Sequence, residues 1–181
     1  GCGNVPGGRP GVCLFRKEGD HPDPAGVAPA ELHDLDGLPG IPYDLLPLSR
    51  YRIYSSQVPV FHRLRWGFCL TTRGCPYRCI YCSPTLRQSF GSAYRQQSAD
   101  RVVADMEEQK DRLGVNAIFM EDDLFSLDRE RTLQVCKRLR QRGAPVPFVI
   151  QTRLDALDRE RVEALKAAGC VGVTAGVESG A

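Results

Sequence analysis

The chain has 181 residues, 42% of them hydrophobic and 25% charged, with a formal net charge of +2. That is enough for one domain with a real core, and the balance is that of a globular protein, not of a disordered or collagen-like chain. No apolar run approaches the ~20 residues of a membrane span and no signal-like segment opens the sequence, so no transmembrane helix and a cytoplasmic location are expected.

Residues 1–47 are rich in Gly and Pro, among them Gly7, Gly8, Pro22, Pro24, Pro29, Pro39, Pro42 and Pro47, and carry no helical or strand period. They read as a linker packed on something else. From about residue 48 the composition turns to arginine and aromatics. Between Asp44 and Asp100 there is no acidic residue, while Arg50, Arg52, Arg63, Arg65, Arg73, Arg78, Arg87 and Arg95 fall in that stretch. This is either a solvated surface or a positive field suited to an anionic small-molecule ligand.

Regular structure is expected from Trp66. The run Trp66–Leu70 reads as a short buried strand. Ser98 can cap a helix through Leu113 that turns Val102, Val103, Met106 and Leu113 to one side and stops at Gly114. Val115–Met120 reads as a second buried strand. A helix from Asp128 to Arg142 follows, with Leu133, Cys136 and Leu139 as its apolar stripe and Gly143 as its stop. Phe148–Ile150 is the third strand. Asp158 caps a third helix through Ala168, with Val162, Leu165 and Ala168 inward, and Cys170–Val177 is the fourth strand.

Strands alternating with helices over short connections imply a parallel sheet with right-handed crossovers. In the fourth strand Val171, Val173, Ala175 and Val177 alternate with Gly172, Thr174, Gly176 and Glu178. An apolar face under helices and a small, polar inner face suit a barrel better than a doubly wound sheet, whose strands are apolar on both faces. The expected class is therefore α/β, the first half (about four βα units) of a partial TIM-type barrel over residues 48–181, preceded by a linker over 1–47. The sequence starts at Gly1, has Met106 as its earliest methionine and stops just after an apolar run. A piece of a longer chain is expected, poorly soluble and inactive alone because a valine-rich strand edge is left unpaired.

The eight cysteines are unevenly spaced, and Cys75, Cys79 and Cys82 fall within eight residues, directly after the first strand. A disulfide framework suits short secreted chains, so metal binding in a reducing compartment accounts better for the clustering. Structural zinc normally takes four ligands, and His21, His33 and His62 lack ligand spacing. A C-x3-C-x2-C set of soft thiolates on one loop suits an iron cluster with an iron left open. Cys69, Cys136 and Cys170 read as small core residues.

The segment Thr71-Thr72-Arg73-Gly74-Cys75-Pro76-Tyr77-Arg78-Cys79-Ile80-Tyr81-Cys82 resembles the signature of the radical S-adenosylmethionine (SAM) superfamily, and with Ser83-Pro84 it is similar to members that carry an N-terminal cobalamin-binding domain. Asp34–Pro39 with Tyr43–Leu46 resembles the linker from that domain to the barrel. Asp122-Asp123-Leu124-Phe125 resembles an acidic motif that usually reads Asp-Asp-Asn-Phe, with Leu124 departing from the pattern. Gly176–Gly180 resembles the motif ending the fourth strand.

The resemblance implies that Cys75, Cys79 and Cys82 hold a 4Fe–4S cluster whose open iron chelates SAM, and that reductive cleavage of SAM gives a 5′-deoxyadenosyl radical. It also implies contacts to SAM from Tyr81 (adenine), Asp122 or Asp123 (ammonium), and Glu178 and Ser179 (ribose or amino group). Arg153 is expected to pair with Glu178 or a carboxylate. Residues 1–47 are then the linker and the remnant of a cobalamin-binding domain. The implied cofactors are the cluster, SAM and, in the whole protein, cobalamin. The implied electron donor is of flavodoxin or ferredoxin type, and the chemistry is methylation or ring formation. The alternatives are a tRNA methylthiotransferase-type enzyme and a non-enzymatic iron–sulfur module. The arginine-rich stretch lacks the stacking pattern that would indicate nucleic acid.

Overall fold

The structure is a computed structural model that describes residues 33–45, 64–82 and 91–177. Its centre is a four-stranded parallel sheet built from β1 (Trp66–Cys69), β4 (Ala117–Met120), β5 (Phe148–Thr152) and β6 (Cys170–Ala175), in that spatial order. A short antiparallel ladder, β2 (Thr72–Arg73) with β3 (Arg95–Gln96), stands at the exit of β1. Helices α1 (Ala99–Leu113), α2 (Arg129–Gln141) and α3 (Arg159–Ala167) connect the parallel strands. This is a curved β/α arrangement similar to the opening units of a barrel, as the strand–helix alternation predicts.

Local chemistry sets the helix limits close to those expected. Ser98 accepts the Arg101 amide at 3.2 Å, and Gly114 closes α1 in the left-handed region at φ 61°. Asp128 and Asp158 cap α2 and α3 through the amides of Arg131 and Arg161. The Asp128 cap also accepts the Gln96 side chain at 2.7 Å, tying β3 to α2. Burial alone would raise the pKa of Asp128, but the Arg131 amide, the Gln96 amide and the Arg131 charge hold it below the ordinary carboxylate value. Its stabilising contribution is therefore present above about pH 4, the unfolded value, and lost as pH falls through the lower folded value. Asp128→Ala is expected to cost about 1–2 kcal/mol at neutral pH, read as a lower urea midpoint of the full chain. The two proteins should converge in acid.

The main core lies between the sheet and the helices. Val102, Val103 and Met106 of α1 and Val135, Cys136 and Leu139 of α2 pack on Ile118, Met120, Phe148 and Ile150, joined by Leu165 and Ala168. Trp66, Ala117, Phe119 and Val149 form a smaller cluster on the opposite, concave side. Two expected core positions differ. Leu133 is only half-buried, since Val135 takes the inward place beside Cys136, and Val162 is 48% exposed on the outer side of α3.

The alternation expected along β6 is interrupted. Phe148 pairs with Cys170 but Val149 with Gly172, so Val171 is an extra residue in the register. Cys170 packs into the main core while Gly172 lies against Val149 on the concave side. Val171 and Val173 are each 44% exposed, so no described element covers them. At the other end of the sheet the Gln109 amide fits the edge of β1 as a strand would. Its Oε1 accepts the Phe68 amide at 3.0 Å and its Nε2 donates to the Phe68 carbonyl at 2.9 Å. Gly67 makes room, because a Cβ there would lie 2.4 Å from Gln109 Oε1.

The compact unit that contains the sheet begins at Asp34. Asp34 accepts the amides of Asp36 and Gly37, Asp36 accepts the Ser98 amide at 2.8 Å, and Leu35 is buried. The start of the expected linker is thus stitched to the N-terminus of α1. No described helix is long and apolar enough to cross a membrane.

Candidate metal centre

The cysteine loop leaves the C-terminal end of β1, where barrel enzymes place their chemistry. Its first anchor is Asp122, just beyond the end of β4 and fully buried. One carboxylate oxygen accepts the Thr71 amide at 2.7 Å, the Thr72 amide at 2.5 Å and the Thr72 hydroxyl at 2.8 Å. The other accepts the Thr71 hydroxyl at 2.8 Å. Beneath them Arg131 of α2, 4% exposed, donates to Thr71 Oγ1 at 2.6 Å, the Gln97 carbonyl at 2.8 Å and the Phe125 carbonyl at 3.3 Å. Burial pushes the Asp122 carboxyl up in pKa, and the Thr72 and Thr71 hydrogen bonds with the Arg131 charge oppose it.

The second anchor is the ladder that pairs Thr72 with Gln96 and Arg73 with Arg95, bringing the two ends of the cysteine segment side by side. Between them Gly74 (φ 84°) passes so close to Ala93 that a Cβ would lie 2.1 Å from the carbonyl oxygen. The third anchor is the turn itself, in which the Cys82 amide donates to the Cys79 carbonyl at 3.2 Å.

On this frame Cys75 and Cys79 are half-buried and Cys82 is exposed, and none of the three is in a disulfide. Among the described residues no three of Cys, His, Asp and Glu converge closely enough for a single metal ion. The donor set is three thiols from one loop, a set that fits a cluster taking one cysteine per iron and leaving one corner open. The remaining described cysteines are of another kind. Cys69 and Cys136 are buried, with thiols pushed up to about 12 by desolvation, and Cys170 is raised for the same reason. They are core residues, as expected.

The acidic motif divides. Asp122 was expected as a contact for a ligand's ammonium group, but its carboxylate faces inward onto four donors of Thr71 and Thr72. Asp123 is half-buried, with its pKa raised by desolvation, and Glu121 is exposed. Leu124, where the family motif has Asn, is buried, and its carbonyl accepts the Tyr94 hydroxyl at 3.0 Å. Tyr81 is 64% exposed, presenting its ring at the loop surface. Glu178 and Ser179 lie outside the described residues, as do Arg50, Arg52, Arg63 and Arg87 of the arginine stretch. Two of the described arginines there are structural: Arg65 donates to the Leu113 carbonyl, and Arg73 to the carbonyls of Leu70 and Thr72.

Sequence reasoning missed Thr71, Thr72, Arg131 and the Arg153 contacts. Arg153, just past β5, pairs with the Asp155 carboxylate, while Glu178, its other expected partner, lies outside the described residues. Arg153 stacks 4.2 Å over the Tyr77 ring and reaches Cys79 Sγ at 3.6 Å. The only signal for the threonines was their place between the strand and the first cysteine.

A parallel β/α unit that presents three cysteines on a loop after its first strand defines a class, the barrel proteins that hold an iron–sulfur cluster at the barrel mouth. The chain belongs to the Radical SAM superfamily, whose model matches residues 69–181. It is 30% identical over 148 residues to an uncharacterized methyltransferase of Pyrococcus horikoshii, covering 82% of this chain and 30% of that protein. It is 24% identical over 172 residues to cytidylyl-2-hydroxyethylphosphonate methyltransferase of Streptomyces wedmorensis, covering 94% of this chain and 32% of that protein. Among solved structures it resembles the radical SAM methyltransferase TsrM from Kitasatospora setae with cobalamin and a [4Fe-4S] cluster bound. There the TM-score is 0.57 at 26% identity, over 67% of this chain and 24% of that one. The chain thus spans less than a third of the length of these relatives.

Proposed function

We propose that this chain is the cluster- and SAM-binding part of a cobalamin-associated radical SAM methyltransferase. The observation that carries the reading is the loop of Cys75, Cys79 and Cys82, fixed at its base by Asp122 and the β2–β3 ladder. The methyltransferase subtype is supported by the relatives in Pyrococcus and Streptomyces, and the cobalamin association by the likeness to TsrM. A 4Fe–4S cluster, when bound, supplies the electron that cleaves SAM.

The chain's own residues do the holding and placing. Cys75, Cys79 and Cys82 ligate the cluster as thiolates. Asp123 accepts from the SAM ammonium, a charge-assisted contact open to it because Asp122 is engaged by Thr71 and Thr72. Tyr81 covers the adenine, and Glu178 and Ser179 meet the ribose or amino group. Residues 1–47 join a cobalamin-binding domain to the barrel, and the enzyme is cytoplasmic, acting on a small, anionic molecule with electrons from a flavodoxin- or ferredoxin-type donor.

The test is anaerobic reconstitution of the whole protein that contains this chain with iron and sulfide, followed by assay of SAM cleavage. The parent should take up a cube's complement of both and form 5′-deoxyadenosine. The triple variant Cys75→Ala, Cys79→Ala, Cys82→Ala should lose nearly all of each, while Cys136→Ala keeps its iron. Unchanged iron in the triple variant sinks the assignment. Tightly held corrinoid separates this reading from a methylthiotransferase.

A further inference from the structure

Arg153, just past the end of β5, brings a charged side chain from outside the cysteine loop to the sulfur of Cys79. Three contacts fix its guanidinium. Nε and Nη2 lie on the two carboxylate oxygens of Asp155 at 2.9 and 2.5 Å, a bidentate fork that settles the plane. The face of that plane lies 4.2 Å over the Tyr77 ring. The remaining edge points Nη1 at Cys79 Sγ, 3.6 Å away. Asp155 itself sits in the 3-10 turn Leu154–Ala156, and Ala156 is held because its carbonyl accepts Ser126 Oγ at 3.1 Å. The arginine is therefore braced from behind, with its free donors aimed at the sulfur.

We propose that Arg153 is a positioning residue that raises the reduction potential of the cluster, by holding a cationic N–H donor against the Cys79 sulfur. This rests on the cluster assignment made above. Reduction adds one electron and one negative charge to a cluster already ligated by three thiolates. A fixed cation and an N–H···S hydrogen bond favour the more negative state, and such contacts are among the factors that set iron–sulfur potentials. A lysine would keep the charge but has neither the planar fork for Asp155 nor the face for Tyr77.

The experiment is a potentiometric titration of the reconstituted full chain, followed by the EPR signal of the reduced cluster, with iron content measured on the same samples. Arg153→Gln is expected to keep its iron and to lower the midpoint by about 59 mV, a tenfold change for a one-electron couple. Arg153→Lys should fall between it and the parent. An unchanged midpoint at full iron loading overturns the proposal. Loss of iron from both variants also overturns it, since Arg153 would then be a brace for the loop and nothing more. A parent that takes up no iron fails at the cluster itself, an outcome distinct from an iron-replete parent whose midpoint ignores Arg153.

Discussion

In the Asp122→Ala variant the exit of β1 is expected to come apart, with a loss of about 3–5 kcal/mol from the stability of the full chain. One side chain removed there leaves two backbone amides and two hydroxyls without their acceptor, all fully or nearly fully buried. It also leaves the Arg131 cation, itself 4% exposed, without the fully buried carboxylate that favours its charge. Breaking a buried polar network by deleting one partner is costly because the other groups stay desolvated. Asparagine is a partial rescue, since its Oδ1 can accept from both amides and the Thr72 hydroxyl, while its NH2 meets the Thr71 hydroxyl and brings no charge to face Arg131. Hydrogen exchange gives the local readout. The Thr71 and Thr72 amides should lose protection in Asp122→Ala and keep it in Asp123→Ala, whose parent side chain is only half-buried. A fully protected Thr71–Thr72 segment in the alanine variant at position 122 would count decisively against this account of the rim.

The second large effect is expected at Gly74. An alanine there meets two separate penalties. The left-handed φ of 84° costs a residue with a Cβ about 1–2 kcal/mol. The Cβ itself would lie 2.1 Å from the Ala93 carbonyl oxygen, which belongs to backbone and cannot swing aside. Overpacking of this sort adds about 1–3 kcal/mol, and the strand pair must part to relieve it. Gly91 is the matched control, because it has φ 75° but nothing within 4 Å of the Cβ position. Gly91→Ala should carry the conformational cost alone. Gly74→Ala should in addition make residues 74–94 susceptible to limited proteolysis and reduce iron uptake after reconstitution. Equal behaviour of the two variants would mean that the approach of Gly74 to Ala93 does not hold the loop closed.

The rim has consequences for what each acid of the motif can do. Asp122 and Asp123 are neighbours in the chain, yet the first is fully buried and the second only half-buried. One closes the floor of the site and the other stands nearer solvent. The loop after β4 is held from the next strand as well. The Phe125 amide donates to the Gln151 carbonyl at 3.1 Å, and Ser126 Oγ lies 2.8 Å from Thr152 Oγ1. The cysteine loop therefore rests on a platform with little freedom of its own, the condition under which ligands from one short segment can be presented repeatedly in one geometry.

Much of this was legible in the residues because it depends on neighbours in sequence. Helix limits at Ser98, Gly114, Asp128 and Asp158 follow from caps that bond the amide three residues on or adopt a left-handed turn, so a few adjacent residues determine them. The three-cysteine spacing and its place after a strand likewise lie within one stretch of chain. The bulge at Val171 was hidden because register belongs to two strands at once. The inward turn of Asp122, the burial of Arg131 in the first turn of α2, and the reach of Arg153 to Cys79 join positions 51, 60 and 74 residues apart. An arginine or an aspartate reads the same in sequence whether it faces water or a buried partner, and only packing the strands side by side decides which.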